Sequence, residues 1–345
     1  MSPSRRPIVS RRASVAANPR PAVAPALALA LGLAFALATS AAPAASAPRP
    51  PATPAARADW SLSDRVAGSQ LSNFARRWSV AWTLLDSMRM AEPRPDLGGI
   101  VFSTFRGGRM VLTYAGERPE LEQWEQELRV APQPAPYEVI EEAPGRLVLD
   151  LPPDTTMFLR TERPASDFSL VPLEHEDDHE ELIWYPELVE KVARGAVLRA
   201  THMQATNWWY EDSPEAELRL EDRPTDADFL QSGRFGTSIE LLVDLANRAG
   251  TDFWWCVPAR ADDAYVRAVA RVIHERLAPG RRVFVECGNE VWNAIPPYEA
   301  QRRWMRAEAD RQGILQDLDD YARGVIMHAI RTVEMGRIAE DVLGE

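Results

Sequence analysis

Residues 282–293 read Arg-Val-Phe-Val-Glu-Cys-Gly-Asn-Glu-Val-Trp-Asn, and this stretch carries most of the fold prediction. Its apolar half predicts a buried strand, and Asn289 and Glu290 follow at the carboxyl end of that strand. In parallel sheets the functional side chains gather at such strand ends. A carboxyl group can protonate a glycosidic oxygen, an amide can bind a sugar hydroxyl, and the indole of Trp292 can pack against a pyranose ring. The stretch therefore indicates carbohydrate chemistry.

Strands and helices alternate from about residue 186 onward. Three apolar runs predict strands, and three segments with helical periodicity predict helices. The strands cover residues 196–201, 252–257 and 282–287, and the helices cover residues 238–248, 262–277 and 317–343. Gly250 is typical of a helix C-cap and Asp262 of a helix N-cap. This order predicts a parallel sheet with right-handed crossovers, made of strands that are buried on both faces.

Residues 98–175 are predicted to form a β-rich, sandwich-like unit, because glycine and proline separate short apolar or alternating runs. The runs cover residues 100–105, 110–114, 137–141, 146–151, 156–160 and 168–171. Before this unit, apolar residues between Leu71 and Met90 recur every three or four positions and predict a helix. The β-rich unit could be a carbohydrate-binding module or plain architecture.

The first 47 residues are typical of a secretory signal. Basic residues at Arg5, Arg6, Arg11 and Arg12 precede an uncharged Ala/Leu-rich run, and small residues follow up to Ala47. We expect a secreted or periplasmic protein. The paired arginines resemble a twin-arginine signal, and an uncleaved membrane anchor is the alternative. A Pro/Ala linker then covers residues 48–57.

The net charge of −12 bears on the possible partners. An acidic chain is a poor match for nucleic acid or for an anionic membrane surface, whereas neutral glycans need no charge steering. The expected partner is therefore a carbohydrate, with no nucleic acid, and with no membrane once the signal is removed. The sequence shows no phosphate-binding glycine loop and no zinc-finger spacing, so we expect no cofactor and no metal.

Two segments resemble clan A-type glycoside hydrolases, which have a (β/α)8 (TIM) barrel. The first is Asp-Phe-Trp-Trp at residues 252–255, and the second is Val-Glu at 285–286 followed by Asn-Glu-Val-Trp-Asn at 289–293. In particular, they look like a bacterial, cellulose-associated group of that clan. The resemblance covers residues 180–345 well and residues 58–175 loosely. It implies hydrolysis of a plant or microbial polysaccharide by a retaining mechanism.

The resemblance implies a role for each matched residue. Glu290 would be the general acid/base, and Asn289 would contact the 2-hydroxyl group of the sugar. The alternative for Glu290 is a structural carboxylate paired with an arginine. Glu286 would either tune the acid/base or serve as a buried ion-pair partner. The residues expected to bind substrate are Asn289, Arg199, Asn207, Trp254, Trp292 and Glu286.

The resemblance also implies how the chain is organised. Residues 58–97 would be an N-terminal barrel segment with a helix, residues 98–175 a β-rich insertion, and residues 180–345 units two to four of a partial (β/α)8 barrel. The nucleophile of the family lies at the end of the seventh barrel strand. We therefore expect a truncated chain that lacks this nucleophile and is inactive by itself.

Three features leave alternatives open. A non-catalytic carbohydrate-binding protein would use the β-rich unit and the tryptophans. Residues 175–179 spell His-Glu-Asp-Asp-His, the pattern of zinc proteases with His175 and His179 as ligands, but the acidic neighbours and the missing apolar face favour a solvated connector. Cys256 and Cys287 fall in predicted strands, and two buried free thiols are favoured over a disulfide.

Overall fold

The computed structural model describes the chain in nine segments. They cover residues 83–94, 98–104, 106–123, 136–153, 155–160, 165–207, 217–233, 235–296 and 298–344. The predicted export signal and the Pro/Ala linker lie outside these segments. None of the helices in these segments combines the length and the apolar character that a membrane span requires.

Eight strands form two antiparallel sheets. In chain order they are β1 (Glu92–Arg94), β2 (Gly99–Thr104), β3 (Gly108–Gly116), β4 (Glu120–Gln123), β5 (Glu138–Ala143), β6 (Arg146–Leu151), β7 (Thr155–Arg160) and β8 (Ala165–Pro172). The first sheet has the order β1-β2-β7-β4 and the second the order β5-β6-β3-β8. Gly145 has a φ of 75° in the tight turn between β5 and β6, a conformation that glycine adopts without steric strain.

The two antiparallel sheets share one apolar core, which makes them a sandwich. Ile100, Phe102 and Met157 of the first sheet cluster with Leu112 and Leu149 of the second, and all five side chains are buried. Because side chains alternate across a strand, each sheet directs these residues to the shared core. Their removal from water stabilises the sandwich by roughly 25 cal/mol for each Å² of apolar surface.

Three strands form a separate parallel sheet with β10 at its centre. They are β9 (Val197–Arg199), β10 (Asp252–Val257) and β11 (Val283–Cys287), in the order β11-β10-β9. The helices are α1 (His179–Leu182), α2 (Pro186–Ala193), α3 (Ile239–Ala249), α4 (Asp263–Arg276), α5 (Tyr298–Gln312) and α6 (Asp320–Leu343). Short 3-10 helices cover Ser87–Met90, Leu173–His175 and Leu220–Asp222.

The boundaries of α3 and α4 follow from local capping. Ser238 accepts a hydrogen bond from the backbone N–H of Leu241 at the start of α3, and Gly250 ends that helix with a φ of 70°. Asp262 begins α4 by accepting the N–H of Tyr265 at 2.7 Å. The predictions of Gly250 as a C-cap and of Asp262 as an N-cap are confirmed, because each depends on contacts within a few residues.

The parallel sheet is closed on one face and open on the other. Phe253, Trp255 and Val257 of β10 are fully buried in an apolar core with the helices. On the opposite face, Trp254 and the neighbouring Glu286 are only partly buried. The prediction that these strands are buried on both faces holds for β10, in which only Trp254 is half-buried. It is wrong for β11, because Phe284, Val285 and Glu286 are half-buried there.

The predicted partial (β/α)8 barrel is also wrong. Eight of the eleven described strands lie in the antiparallel sheets, and the three parallel strands form an open sheet that does not close into a barrel. Alternation of strands and helices implies that neighbouring strands run parallel, but it sets neither their number nor the closure of the sheet. The antiparallel sandwich contains most of the described strands and is not an insertion into a barrel.

The first described segment is not a long helix and packs on both parts of the fold. Leu84, Leu85 and Met90 belong to the core of the parallel sheet, whereas Met88 and Ala91 belong to the sandwich core. Between residues 83 and 90 only one 3-10 turn is helical, and β1 follows it. Asp86 accepts the N–H of Met88 at this turn and the N–H of Leu170 in β8, both at 3.0 Å. The carboxylate therefore starts a new turn and ties it to the second sheet. Residues 71–82 of the predicted helix lie outside the described residues.

Candidate functional site

Four residues at the carboxyl end of the parallel sheet form one hydrogen-bonded network. Nε and Nη2 of Arg199 donate to the carboxylate of Glu286 at 3.0 and 2.8 Å, and Nη2 also donates to Oδ1 of Asn289 at 2.8 Å. The indole N–H of Trp254 donates to Glu286 at 2.9 Å. The centroid of the Trp254 ring lies 5.3 Å from the guanidinium carbon of Arg199. The structure thus brings these four predicted site residues together.

Glu286 serves as an ion-pair partner in this network. Besides Arg199 and Trp254, the thiol of Cys256 lies 3.4 Å from Oε2 of Glu286. Burial lowers the pKa of Arg199, but the neighbouring Cys256, Glu286 and Glu290 outweigh this effect and raise it. Glu290 therefore lies within electrostatic reach of Arg199, although Glu286 is the carboxylate that Arg199 binds.

Glu290 lies in a tight turn directly after β11. Gly288 and Glu290 have positive φ values of 67° and 50°. A Cβ atom at Gly288 would come within 2.8 Å of Oε1 of Gln301, so the turn packs closely against α5. A positive φ is strained for glutamate, and such strain is concentrated at functional sites. The turn leaves Glu290 exposed, and its Oε2 accepts a hydrogen bond from Nδ2 of Asn293 at 3.0 Å.

Gln301 of α5 supports this turn from below, and no sequence motif indicated it. The side chain is fully buried. Its Oε1 accepts the N–H of Asn289 at 3.3 Å, and its Nε2 donates to the carbonyl of Asn289 at 3.3 Å and to Oδ1 of Asn207 at 2.8 Å. Asn207, predicted to bind substrate, is 2% exposed and lies beneath the site as a partner of Gln301. A buried amide must satisfy its donors and acceptors, and here it does so by holding Asn289.

The two tryptophans predicted to bind substrate lie in different environments. Trp254 is partly buried, and its N–H is committed to Glu286. Trp292 is 61% exposed, the largest value among the exposed large hydrophobic side chains of the described residues. An indole combines a broad apolar face with a polar edge, so Trp292 is available for stacking against a ligand.

The cysteines are two buried free thiols, which confirms the preference over a disulfide. Sγ of Cys256 lies 3.1 Å from Oγ1 of Thr201 and next to Glu286. Burial, and then the charge of Glu286, raise the pKa of Cys256 to about 12. A thiol that stays protonated at neutral pH is a poor nucleophile, so Cys256 contributes a hydrogen-bonding group and not a reactive thiolate.

The His-Glu-x-x-His segment does not have the geometry of a zinc protease. His175 ends one 3-10 helix and His179 begins the separate helix α1, so the two imidazoles are not on one continuous helix. Nδ1 of His179 is hydrogen-bonded to the carbonyl of Glu176 at 3.0 Å. The carboxylate of Glu176 accepts two hydrogen bonds from Arg146, at 2.7 and 2.8 Å. The segment is a connector held by local bonds and one ion pair.

Across the described residues, no group of three or more His, Cys, Asp or Glu side chains is placed to hold a metal ion. No protein-family model, curated protein or solved structure matches the chain. The geometry of the site formed by Arg199, Glu286, Asn289 and Glu290 is therefore the basis for assigning a function.

Proposed function

We propose that this protein is exported and glycoside hydrolase-like, binding a polysaccharide at the carboxyl end of its parallel sheet and using Glu290 as the proton donor. The supporting observation is the turn at Gly288 to Glu290, which exposes one carboxylate in a strained conformation. Gln301 holds that turn from below, and Arg199 holds Asn289 beside it. Such pre-ordering is what a site needs to present a proton donor in a fixed position.

General acid catalysis is the chemistry assigned to Glu290. A glycosidic oxygen leaves readily only when it is protonated, and a carboxylic acid within hydrogen-bonding distance supplies that proton. Asn293 binds one oxygen of the Glu290 carboxyl group, which leaves the other oxygen for the substrate. Asn289 accepts from Arg199 through Oδ1, so its own N–H donors can bind a sugar hydroxyl.

A second candidate function is non-catalytic carbohydrate binding. Glycoside hydrolysis uses two carboxylates, about 5–5.5 Å apart in retaining enzymes and about 6.5–9.5 Å apart in inverting ones. Glu286 is already bound by Arg199, Trp254 and Cys256, so we assign it no nucleophilic role. This commitment of Glu286 favours a site that captures a glycan without cleaving it.

The Glu290→Gln substitution distinguishes the two functions. The wild type and the Glu290→Gln variant are run through gels that contain different polysaccharides, and slower migration measures binding. The release of reducing sugar is measured to detect cleavage. For a hydrolase, we expect the substitution to lower cleavage by about 100- to 10,000-fold while retardation in the gel persists. For a binding protein, both forms are retarded and neither releases sugar.

Glu275→Gln provides the matched control, because Glu275 is an exposed carboxylate on α4 outside the network. It should behave as the wild type in both measurements. Cleavage by Glu290→Gln at the wild-type rate would remove Glu290 from the mechanism. Unretarded migration of the wild type in every polysaccharide would contradict both functions.

A further inference from the structure

An exposed apolar patch lies next to the Glu290 turn. It consists of Trp292, Ile295 and Tyr321, which are 61%, 58% and 50% exposed. The other exposed large hydrophobic side chains of the described residues are Val139, Ile140 and Leu220, which are 40%, 42% and 44% exposed and belong neither to this loop nor to α6. Soluble proteins rarely concentrate exposed apolar side chains in one place unless the surface binds something.

The patch is held in place before any ligand arrives. The hydroxyl of Tyr321 donates to the backbone carbonyl of Trp292 at 3.1 Å, which links α6 to the loop after the Glu290 turn. Nη1 of Arg302 donates to the carbonyl of Asn293 at 2.8 Å. The guanidinium carbon of Arg302 also lies 4.8 Å from the centroid of the Tyr321 ring, a cation–π contact that fixes the position of this half-exposed ring. A pre-ordered surface loses little conformational entropy on binding.

Close approach of two helices makes this arrangement possible. A Cβ atom at Gly324 of α6 would come within 2.6 Å of Cγ and 2.8 Å of the carbonyl oxygen of Arg302 in α5. Glycine at this position therefore lets Tyr321, three residues earlier on α6, reach the loop that carries Trp292.

We infer that the Trp292–Ile295–Tyr321 patch is a second saccharide subsite and that the ligand is an uncharged glycan chain of several sugar units. This inference rests on the proposed function, since the first unit of the chain would lie at Glu290. Asn293 connects the Glu290 turn to the patch, because its side chain donates to Glu290 and its backbone carbonyl accepts a hydrogen bond from Arg302. Exposed aromatic rings bind sugars through the apolar faces of the pyranose.

The charges around the patch favour a neutral chain over a polyuronate. Glu290 contributes an exposed carboxylate beside the patch, and the whole chain carries a net charge of −12. Arg199 and Arg302 have other partners, because Arg199 binds Glu286 and Arg302 binds backbone carbonyls of the loop. An acidic glycan would meet repulsion from the Glu290 carboxylate here.

Calorimetric titration of the full chain with oligosaccharides of two to six units tests this inference. The probes are neutral gluco-, manno-, xylo- and N-acetylgluco-oligosaccharides, with oligogalacturonates as the charged series. In at least one neutral series, we expect the affinity of the wild type to rise about tenfold or more from two to six units. That factor corresponds to one or two added aromatic contacts. Oligogalacturonates should bind more weakly at every length.

Tyr321→Ala and Trp292→Ala should remove this gain with chain length, and Tyr321→Phe should retain most of it because the ring remains. Leu220→Ala is the matched control, since Leu220 is 44% exposed and lies in the 3-10 helix 220–222. Thermal melts establish that each variant is folded.

The possible results separate the two proposals. Binding that does not strengthen with chain length, or a length dependence that survives both alanine substitutions, overturns the second subsite and leaves the proposed function standing. Tighter binding of oligogalacturonates overturns the neutral-glycan assignment. Absence of binding in every series rejects the proposed function itself. A wild-type dimer that Trp292→Ala dissociates in sedimentation experiments shows instead that a second copy of the chain covers the patch.

Discussion

The antiparallel sandwich and the parallel sheet differ in the side chains that they place on the face away from their core. The second sheet of the sandwich is apolar even on its outer face, where Val111, Val148 and Val171 lie side by side on adjacent strands. The parallel sheet instead carries Arg199 and Glu286 on its open face. Buried apolar faces stabilise a fold, whereas polar groups on a half-open face need partners. In this protein those partners pre-order the turn that carries Glu290.

The largest expected effect is on the stability of the sandwich. Leu112 is fully buried at the centre of the sandwich core, opposite Leu147 and Leu170 on the neighbouring strands. Leu112→Ala should lower the free energy of unfolding by about 2–5 kcal/mol, because it removes apolar contacts and leaves a cavity. Chemical denaturation followed by circular dichroism measures this change.

The same variant tests whether the two regions are independent. If the sandwich only stabilises the fold, glycan affinity of Leu112→Ala below its unfolding midpoint should stay within about twofold of the wild type, since distant sites act additively. A large loss of affinity would show that the sandwich takes part in binding.

Gln301→Leu should destabilise the Glu290 turn more than it destabilises the sandwich. The substitution leaves the N–H of Asn289 and the amide oxygen of Asn207 without their partner. It should lower the free energy of unfolding by about 1–3 kcal/mol. Hydrogen exchange should become faster in residues 283–293, and glycan affinity should fall by about tenfold, because the Glu290 turn loses its support.

Gln312→Leu is the control on the same helix, since Gln312 is exposed and its Nε2 donates at 2.7 Å to Oε1 of Glu308, one turn earlier on α5. Its exchange rates and glycan affinity should match those of the wild type. Unchanged exchange in residues 283–293 of Gln301→Leu would mean that the turn holds its shape without the buried amide.

Alkaline pH should destabilise the parallel sheet through its cysteines. Burial raises the pKa of both Cys256 and Cys287 from the ordinary value of 9.0 to about 12. The stability contributed by keeping these thiols protonated is therefore complete below pH 9 and is lost as the pH rises from 9 towards 12. Melting temperatures measured across this range should fall, and substitution of both cysteines by alanine should reduce the slope.

Thiol labelling independently checks that the two cysteines are buried and protonated in the folded protein. At pH 8 an alkylating reagent should modify the native protein far more slowly than the denatured protein, because neither thiol forms the thiolate in the fold. Equal labelling rates in the two states would contradict the burial of these side chains.

The smallest effect is expected at the His-Glu-x-x-His connector. His179→Ala removes one hydrogen bond, to the carbonyl of Glu176, and should change the free energy of unfolding by no more than about 0.5 kcal/mol. Neither zinc nor a chelator should shift the melting temperature of the wild type. Stoichiometric zinc in the purified protein would contradict this expectation.

Local elements could be predicted from the sequence where neighbouring residues decide them. β10 covers Asp252–Val257, as its apolar run predicts. Gly250 ends one helix and Asp262 begins the next where expected. Short antiparallel strands such as β6 also agree with their predicted runs, although β1 and β4 were missed. The missed strands have three and four residues, too few to show a pattern.

The assembly of these elements could not be predicted in the same way. A β-α-β order is common to barrels and to small open sheets, so the choice of a barrel had no physical basis beyond the resemblance. The resemblance implied that Asn207 contacts substrate, but its amide is buried against Gln301. Nothing in the sequence near either residue indicates the other.

Sequence separation explains the division between what the chain alone determines and what the tertiary structure decides. The caps, the strand periodicity and the position of Asn289-Glu290 at a strand end depend on residues a few positions apart, and the sequence determined them. The ion pair of Arg199 with Glu286 joins residues 87 positions apart, and the bond of Gln301 to Asn207 joins residues 94 positions apart. Only folding brings such groups together, because burial requires each polar group to find a partner wherever the packed chain supplies one.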